Sequence, residues 1–267
     1  MPAIKRADAT AGRLEAGQVR AMFDRVANVY DLLNTVMTAG LHHQWRTRAV
    51  DLARVGPGSV VLDVATGTGD LAIELARRVA PGGQVLASDF SEGMLAHAQV
   101  KGAAAVAQLA VELRFEWADA LELPYAEDSF DAATVGFGAR NFSELRRGLE
   151  ELARVVRPGG RVVVLEMTAP TRPPLSWFFR AWFDCVVPVI GRLASLATRL
   201  GQKRSSSAAE TIAQAYTYLP NSVKRFASPL ELAREMEMAG LVDIKYVLMA
   251  GGIIAAHAAT VPTDATR

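Results

Sequence analysis

The feature that most constrains the fold is a regular alternation of β-rich and helical stretches. The β-rich stretches are "SVVLDVA", "GQVLASDF", "VELRFEWADA", "DSFDAATVGFG" and "RVVVLEM". The helical stretches are "GDLAIELARRVA", "SEGMLAHAQVKGAAAVAQ" and "SELRRGLEELARVV", of which the second has Ser91 as its N-cap. This alternation predicts an α/β fold, a doubly wound and mostly parallel sheet of the Rossmann-like type with helices on both faces.

The segments on either side of this pattern predict additions to the sheet. Apolar residues at helical spacing from Val19 to Leu33 predict an N-terminal helical lid. The proline- and aromatic-rich stretch after Met167 predicts an inserted helical cap, and "DIKYVLMAGGIIAAHAA" predicts a closing hairpin with an antiparallel edge strand. The predicted boundaries are a tail at 1–17, one domain at 18–259 with its cap at about 170–226, and a second tail at 260–267.

Composition excludes several classes of protein. Apolar residues make up 51% of the 267 residues, which is ample for a buried core. The 29 basic and 28 acidic side chains give a net charge of +1, so no global field favours nucleic acid. The single cysteine, Cys185, rules out an intramolecular disulfide framework. With neither a secretory h-region at its start nor an uncharged apolar run of about 20 residues, the sequence predicts a cytoplasmic protein.

A glycine-rich turn, "DVATGTGDLA", follows the first predicted strand. Gly67, Gly69 and Ala72 fit the phosphate-binding pattern of dinucleotide folds, and Asp89 follows Gly69 by about 20 residues, where a ribose-binding acid is expected. The same turn would suit S-adenosylmethionine, which has a ribose and an adenine but no phosphate. The glycine pattern alone therefore leaves two cofactors open.

Two acidic positions favour S-adenosylmethionine over a dinucleotide. Asp63 ends the first strand and so faces the ligand crevice, where it would repel a pyrophosphate and attract an ammonium group. Asp119 and Ala120, in "WADALELPYAEDSFD", follow the third strand at the level expected for an adenine ring. A simpler interpretation of Asp119, as a residue that caps a turn, stays open.

The motifs in this order resemble those of a known family. "DVATGTGD", "ASDFSEGML", "ADALELPYAEDSFD" and "RVVRPGGRVVVLE" resemble the class I S-adenosylmethionine-dependent methyltransferases. "FDRVANVYDLLNTVMTAGLHHQWR", "FGARNF", "VLEM", "AYTYLPNSVKRF" and "MAGGIIAAH" are similar to the demethylmenaquinone and ubiquinone C-methyltransferase family. The resemblance covers roughly Val19 to His257. It implies transfer of a methyl group to a ring carbon of a prenylated quinol.

The resemblance also implies a cofactor site. By position in the motifs, the residues expected to bind S-adenosylmethionine are Asp63, Gly67 and Gly69 as the floor, Thr68 at the amino-acid end, Asp89 at the ribose, Asp119 and Ala120 at the adenine, and Gly136 on the fourth strand. Some relatives carry a hydroxyl residue where this chain has Gly136. Only the backbone of Gly136 can therefore line the pocket.

The acceptor side is expected at "FGARN". A phenol with a pKa of about 10 is mostly neutral at pH 7, so its ring carbon becomes a good nucleophile only with help at the oxygen. Arg140 is the candidate cation and Asn141 would orient the ring or a water; the alternative for Arg140 is a surface salt bridge. For the ring proton, His257, Tyr216 and water held by Asn141 are left as alternatives, and no metal cluster is predicted.

The apolar cap is expected to bind the isoprenoid tail or to touch the membrane surface at its inner face. Its aromatic residues are Trp177, Phe178, Phe179, Trp182 and Phe183. A core helix or a homodimer surface is the alternative use of the same stretch. The chain departs from the family's usual length at about 194–215, which leaves the geometry of the cap open.

Other functions remain to be weighed against a quinol C-methyltransferase. A methyltransferase acting on another small lipophilic acceptor would share the cofactor. A binding module without an acceptor site is disfavoured by "FGARN", and a nicotinamide dehydrogenase is disfavoured by Asp63 together with "ADALELP". Neither the choice between naphthoquinol and benzoquinol nor the tail length follows from the sequence.

Overall fold

The computed structural model describes residues 17–25, 35, 38, 40–170, 173, 175–181, 189, 218 and 220–263. Its strands are β1 (Val60–Val64), β2 (Gln84–Asp89), β3 (Glu112–Trp117), β4 (Phe130–Gly136), β5 (Val156–Met167), β6 (Val242–Met249) and β7 (Ile254–Thr260). Its helices are α1 (residues 17–25), α2 (His42–Ala53), α3 (Asp70–Val79), α4 (Glu92–Val106), α5 (Leu145–Val155), α6 (Leu175–Ala181) and α7 (Pro229–Met238).

The strands form one seven-stranded sheet in the order β3-β2-β1-β4-β5-β7-β6. The pairs within β3-β2-β1-β4-β5 are all parallel. The chain runs outward from β1 to β3 and then crosses back to β4 on the other side of β1. In an open parallel sheet a ligand binds at such a reversal, beyond the carboxyl ends of the strands. The sheet therefore places the crevice between β1 and β4.

The final hairpin closes the sheet, as the sequence predicts. Strand β7 is antiparallel to both of its neighbours, β5 and β6. The outermost strand is β6, which pairs antiparallel with β7, and β7 lies between β6 and β5. The hairpin inserts its second strand beside β5, and Val261 continues the contact by donating its N–H to the Gly160 carbonyl at 3.0 Å.

The core lies on both faces of the sheet because successive residues of a strand point to opposite sides. Leu62 and Val64 pack in a cluster with residues of α5 and α7, whereas Val61 packs in another with residues of α2 and α3. Asp63 shares the face of Val61. Its carboxylate is therefore directed toward α2 and α3.

Helix α1 lies against the start of α4. Asp24 accepts hydrogen bonds from Ser91 Oγ at 2.5 Å and from the Gly93 N–H at 3.0 Å. Arg20 forms an ion pair with Glu92 at 3.1 Å. These contacts fix the described part of the predicted lid; most of the predicted helix after residue 25 lies outside the described residues, as does most of the predicted cap beyond α6.

Candidate active site

One cavity opens at the carboxyl ends of β1, β2 and β4, and it encloses about 1070 Å³, part of it open to solvent. Residues from the sequence-predicted site that line it are Asp63, Gly67, Thr68, Asp89, Asp119, Ala120, Gly136 and Asn141. Further lining residues include Phe23, Arg46, Thr66, Asp70, Leu71, Phe90, Met94 and Phe137. The reversal of strand order between β1 and β4 thus brings residues from distant parts of the chain to one cavity.

The glycine turn lies at the floor of this cavity. It leads directly into α3. Gly69 is the N-cap residue of α3 and has φ +83°, a left-handed conformation that an L side chain rarely adopts. A Cβ at Gly69 would also lie 3.0 Å from Cε1 of Phe115. Gly69 therefore shapes the turn and packs it against the sheet without being part of the cavity wall.

Asp63 is fully buried at the end of β1. Its Oδ2 accepts a hydrogen bond of 2.6 Å from Thr66 Oγ1, and its Oδ1 accepts one of 2.5 Å from Thr134 Oγ1. Burial raises the pKa of this carboxyl to about 6, although both hydroxyls favour the charged form. The positive charge of Arg46 lies close enough to lower the pKa of Asp63. A cationic ligand group beside Asp63 would favour its ionised form further.

Asp89, at the end of β2, accepts hydrogen bonds from two separate loops. Its Oδ2 accepts the Gly67 N–H at 2.8 Å, and its Oδ1 accepts the Ser91 N–H at 2.9 Å. Burial raises the pKa of Asp89 to about 6, against the effect of these backbone donors. The carboxylate is thus held in one orientation on the cavity wall, where its remaining lone pairs can accept hydrogen bonds from ligand hydroxyls.

The loop after β3 forms part of the cavity wall. Asp119 Oδ1 accepts the Leu121 N–H at 2.9 Å, so its side chain makes the turn that the sequence left as an alternative while also lying on the cavity wall. Phe90 and Leu121 add apolar surface beside it. A flat apolar ring with polar edges, such as adenine, fits this combination.

Close backbone packing shapes the wall beyond β4. A Cβ at Gly136 would lie 2.9 Å from Leu71 Cδ2, so glycine keeps β4 against α3 at this point. The next residue, Phe137, has φ +59°, and Ala65 after β1 has φ +53°. Two non-glycine residues in the left-handed region therefore end the two strands that border the crevice, a form of strain that is common at binding sites.

Arg140 and Asn141 lie in a 3-10 turn, Ala139–Asn141, just after β4. Among the described residues the cavity wall includes Asn141 and not Arg140. Arg140 Nη1 donates to Glu166 Oε1 at 2.6 Å and to the Phe137 carbonyl at 2.5 Å. The sequence alternative for Arg140 was a salt bridge at the surface, whereas this ion pair is buried and places the guanidinium at the end of β5, where Glu166 lies.

A tyrosine that the sequence analysis did not select contacts Asn141. The hydroxyl of Tyr218 donates a hydrogen bond of 2.9 Å to Asn141 Oδ1. Burial raises the pKa of Tyr218, and the charges of Arg140 and Arg225 act in the opposite direction. Since the amide oxygen of Asn141 accepts from Tyr218, its amide nitrogen is directed elsewhere as a donor.

His257 and Tyr216 are the two side chains that the sequence left as alternatives for the base that takes the ring proton. His257 is buried on β7 and its Nε2 lies 2.8 Å from the Pro229 carbonyl, while burial lowers its pKa to about 4. It does not line the cavity. Tyr216 lies outside the described residues. No group of three or more metal-ligating side chains occurs in the part of the chain that was described.

Sequence reasoning also missed residues that line the cavity or support a side chain on its wall. Thr66 and Thr134 orient Asp63, and Arg46 and Asp70 form an ion pair of 2.9 Å at the start of α3. Asp70 could have been selected from the sequence, because it is an acidic residue in the first helical turn after the glycines. Arg46 gave no local signal, because its approach depends on how α2 packs against α3.

The fold and this cavity define a class of protein. Buried carboxylates stand at the ends of β1 and β2, where an ammonium group and a ribose would bind, and an anionic wall at Asp63 does not suit a pyrophosphate. These residues fit S-adenosylmethionine, and the molecule is a class I S-adenosylmethionine-dependent methyltransferase. Residues 11–261 match the model of the ubiE/COQ5 methyltransferase family, and the chain belongs to that family.

Individual relatives agree with this assignment. The chain is 42% identical to a demethylmenaquinone methyltransferase of Thermus thermophilus, over 88% of this chain and 98% of the relative. It is 34% identical to a ubiquinone/menaquinone biosynthesis C-methyltransferase of Cereibacter sphaeroides, over 91% and 90% of the two chains. A solved S-adenosylmethionine-dependent methyltransferase of Thermotoga maritima has the same fold, with a TM-score of 0.59 at 16% identity over 90% and 98%.

Proposed function

We propose that this enzyme methylates a ring carbon of a prenylated quinol, with demethylmenaquinol as the acceptor to test first. The relatives in Thermus and Cereibacter support a role in quinone biosynthesis. Because the second is named for ubiquinone as well as menaquinone, a benzoquinol of ubiquinone synthesis is the other acceptor to test. The observation that carries the proposal is that Asn141 lines the same cavity as Asp63 and Thr68. An acceptor beside Asn141 would therefore lie next to the cofactor.

The cofactor end of the cavity is assigned from charge and position. Asp63 would hold the ammonium group, Asp89 the ribose hydroxyls, and Asp119 with Ala120 the adenine, while Thr68 contacts the amino-acid end. When bound, S-adenosylmethionine supplies an electrophilic methyl group that joins the ring carbon as the sulfonium–methyl bond breaks, and the ring proton is then lost to a base or to solvent. The chain's own contribution is to hold both partners in line and to exclude water.

On the acceptor side, Asn141 is proposed to donate its amide N–H to the quinol oxygen. Its own oxygen is occupied by Tyr218 at 2.9 Å, which fixes the amide orientation. Arg140 would favour the phenolate through its charge from behind this turn. Because Glu166 partly compensates that charge, the effect is weaker than that of an isolated cation in the same place.

The apolar cap is proposed to receive the isoprenoid tail and to touch the membrane surface from the cytoplasm. Trp177 on α6 is 65% exposed, although Phe179 two residues later is buried. A helix long and apolar enough to span a bilayer is not found among the residues that the structure describes. A homodimer built on the same surface is the second use of this cap that we propose to test.

The acceptor can be tested directly with S-adenosylmethionine that carries a labelled methyl group. The enzyme is incubated under reducing conditions with a demethylated prenyl naphthoquinol, with the corresponding benzoquinol, and with tailless analogues of both. We expect labelled C-methyl product from the prenyl naphthoquinol. Label in neither quinol, with cofactor binding intact, would point to another lipophilic acceptor.

A further inference from the structure

Arg46 of α2 lies at the start of α3, directly after the glycine turn. It is only 8% exposed, yet it lines the cavity together with Thr68. Its Nη2 forms an ion pair of 2.9 Å with Asp70 Oδ2. Its Nη1 is buried and has no hydrogen-bond partner among the described residues.

This arrangement leaves part of a buried guanidinium unsatisfied. Buried N–H groups are rarely left without an acceptor, because the lost hydration is not replaced. Asp70 cannot supply more, since its other oxygen already pairs with Lys101. An acceptor from outside the protein would complete the site, and it would have to enter through the cavity that Arg46 lines.

The charges around Arg46 indicate what kind of acceptor fits. Arg46 is close enough to Asp63 to lower the pKa of that carboxyl. A cationic and an anionic side chain therefore stand near each other at the floor of the cavity, beside Thr68. A ligand group that carries an ammonium and a carboxylate on the same carbon is complementary to such a pair.

We infer that Arg46 binds the carboxylate of the methionine moiety of S-adenosylmethionine through Nη1, while Asp63 takes the ammonium group. Asp70 holds the guanidinium in place and is itself held by Lys101, so Asp70 is a positioning residue for this contact and Lys101 acts through it. The inference rests on the cofactor of the family and not on the identity of the acceptor. Cofactor binding measured without any quinol therefore tests it separately from the proposed reaction.

A purely structural role is the competing explanation, because the Arg46–Asp70 pair also joins α2 to α3. The chain offers a matched control for it. Arg78 of α3 pairs with Asp51 of α2 at 2.6 Å and does not line the cavity. Arg46→Met and Arg78→Met therefore each remove one arginine that links the same two helices, and only the first removes a cavity cation.

The experiment is calorimetry with two ligands, S-adenosylhomocysteine and its decarboxylated analogue S-adenosyl-3-thiopropylamine. A charge-assisted bond predicts that the wild type binds the first about 10- to 100-fold more tightly than the second. Arg46→Met should abolish this preference by weakening only the first ligand, and Arg78→Met should keep it. Equal weakening of both ligands by Arg46→Met, or of neither, overturns the assignment.

Folding of the variant is checked by circular dichroism, since Arg46→Met leaves Asp70 with one cation fewer. The double variant Arg46→Met/Asp70→Asn removes the buried pair together and should show the same loss of preference. The comparison of the two ligands' affinities for the wild-type enzyme requires no variant. If the unmodified enzyme binds both ligands equally, the inference is wrong even when every variant is unstable.

Discussion

Arg140 and Glu166 form a buried ion pair, with Nη1 of the guanidinium 2.6 Å from Oε1 and side-chain exposures of 6% and 1%. The second carboxylate oxygen of Glu166 accepts the backbone N–H of Arg140 at 3.2 Å, and Oε1 also accepts that of Met167 at 2.8 Å. The pair therefore fastens the turn that carries Asn141 to the end of β5. Arg140 has a structural task in addition to the catalytic one proposed for it.

The first prediction concerns stability. Arg140→Met should lower the free energy of unfolding by about 3–5 kcal/mol, because it leaves the buried Glu166 carboxylate without its cation. Arg140→Met/Glu166→Gln should recover most of that loss, since both charges are removed together. Urea unfolding at pH 7 measures both. A double variant as unstable as the single one would show that the pair does not act as a unit.

The second prediction separates catalysis from folding by using that balanced double variant. If the charge of Arg140 favours the phenolate, kcat should fall in Arg140→Met/Glu166→Gln, but by less than the factor of about 10²–10³ expected for a donor that contacts the oxyanion, because Glu166 already compensates part of the charge. The remaining activity should rise with pH toward the phenol pKa of about 10, because the acceptor must then ionise unaided. Affinity for S-adenosylhomocysteine should stay within about twofold, since the pair lies away from the cofactor end.

A matched exposed pair provides the control for this experiment. Arg146 and Glu235 join α5 to α7 at 3.1 Å with exposures of 48% and 29%, and neither lines the cavity. Arg146→Met/Glu235→Gln should leave kcat and its pH profile unchanged and cost less than about 1 kcal/mol of stability. If the Arg140 double variant behaves in the same way, Arg140 is a structural residue only.

The sequence was sufficient for the parts of the site that follow from local pattern. Strand periodicity placed Asp63 and Asp89 at strand ends, and parallel strands bring their carboxyl ends to one edge, so both residues were correctly expected near one crevice. Gly136 was expected to contribute only backbone, and its contact with Leu71 gives the reason. The same pattern predicted the closing hairpin but not which of its strands would pair with β5.

Long-range side-chain pairs could not be predicted in this way. Arg140 pairs with Glu166 across two strands, and nothing in "FGARN" or "VLEM" alone fixes that contact. Arg46 reaches the cavity only because α2 packs beside α3, and Tyr218 reaches Asn141 from the motif "AYTYLPNSVKRF", which the sequence placed in the inserted cap and not beside "FGARN". In each case the partner is set by packing between elements and not by spacing within one element.

The third prediction is a proton release on cofactor binding. Burial holds the pKa values of Asp63 and Asp89 at about 6, and an ammonium group or hydroxyl donors beside them should lower both. Binding near pH 6 should therefore release a measurable fraction of a proton, and binding at pH 8 should release almost none from these groups. Calorimetry of S-adenosylhomocysteine in buffers of different ionisation enthalpy measures this number.

Asp63→Asn is the diagnostic variant, because it removes one of the two titrating carboxyls and should reduce the release without abolishing it. The direction in which pH changes stability follows from the same raised pKa values. A carboxyl whose folded pKa is raised binds protons more tightly in the folded state, so the contribution of Asp63 and Asp89 to the stability of the unliganded protein should fall as pH rises from about 4 to about 6. Binding enthalpies at pH 6 that do not depend on the buffer would contradict the assignment of both residues.

The fourth prediction tests the contact between Tyr218 and Asn141. Tyr218→Phe removes the donor to Asn141 Oδ1, which should allow the amide to turn and weaken its bond to the quinol oxygen. A neutral hydrogen bond of this kind predicts a loss of about threefold to tenfold in kcat/KM for the quinol. The KM for S-adenosylmethionine should not change, because Asp63 and Asp89 are unaffected.

Tyr246→Phe is the control, since Tyr246 lies on the outer strand β6, is 42% exposed and packs against His257 with ring centroids 4.9 Å apart. It should leave both kinetic constants at wild-type values. Asn141→Ala should lower turnover at least as much as Tyr218→Phe, and adding Tyr218→Phe to it should have little further effect. Fully additive losses would show that Tyr218 acts independently of Asn141.

The fifth prediction concerns the exposed surface of α6. Trp177 is 65% exposed, and burying most of an indole in the interfacial region of a bilayer contributes enough apolar area to change partitioning by about tenfold. Trp177→Ser should therefore weaken binding to vesicles of phosphatidylethanolamine and phosphatidylglycerol by that factor, measured by co-sedimentation. Trp117→Ser, which changes a 51% exposed tryptophan on the edge strand β3, should leave vesicle binding unchanged. If the wild type ignores vesicles and Trp177→Ser instead shifts a dimer to a monomer in analytical ultracentrifugation, the surface of α6 is an interface between two copies of the chain.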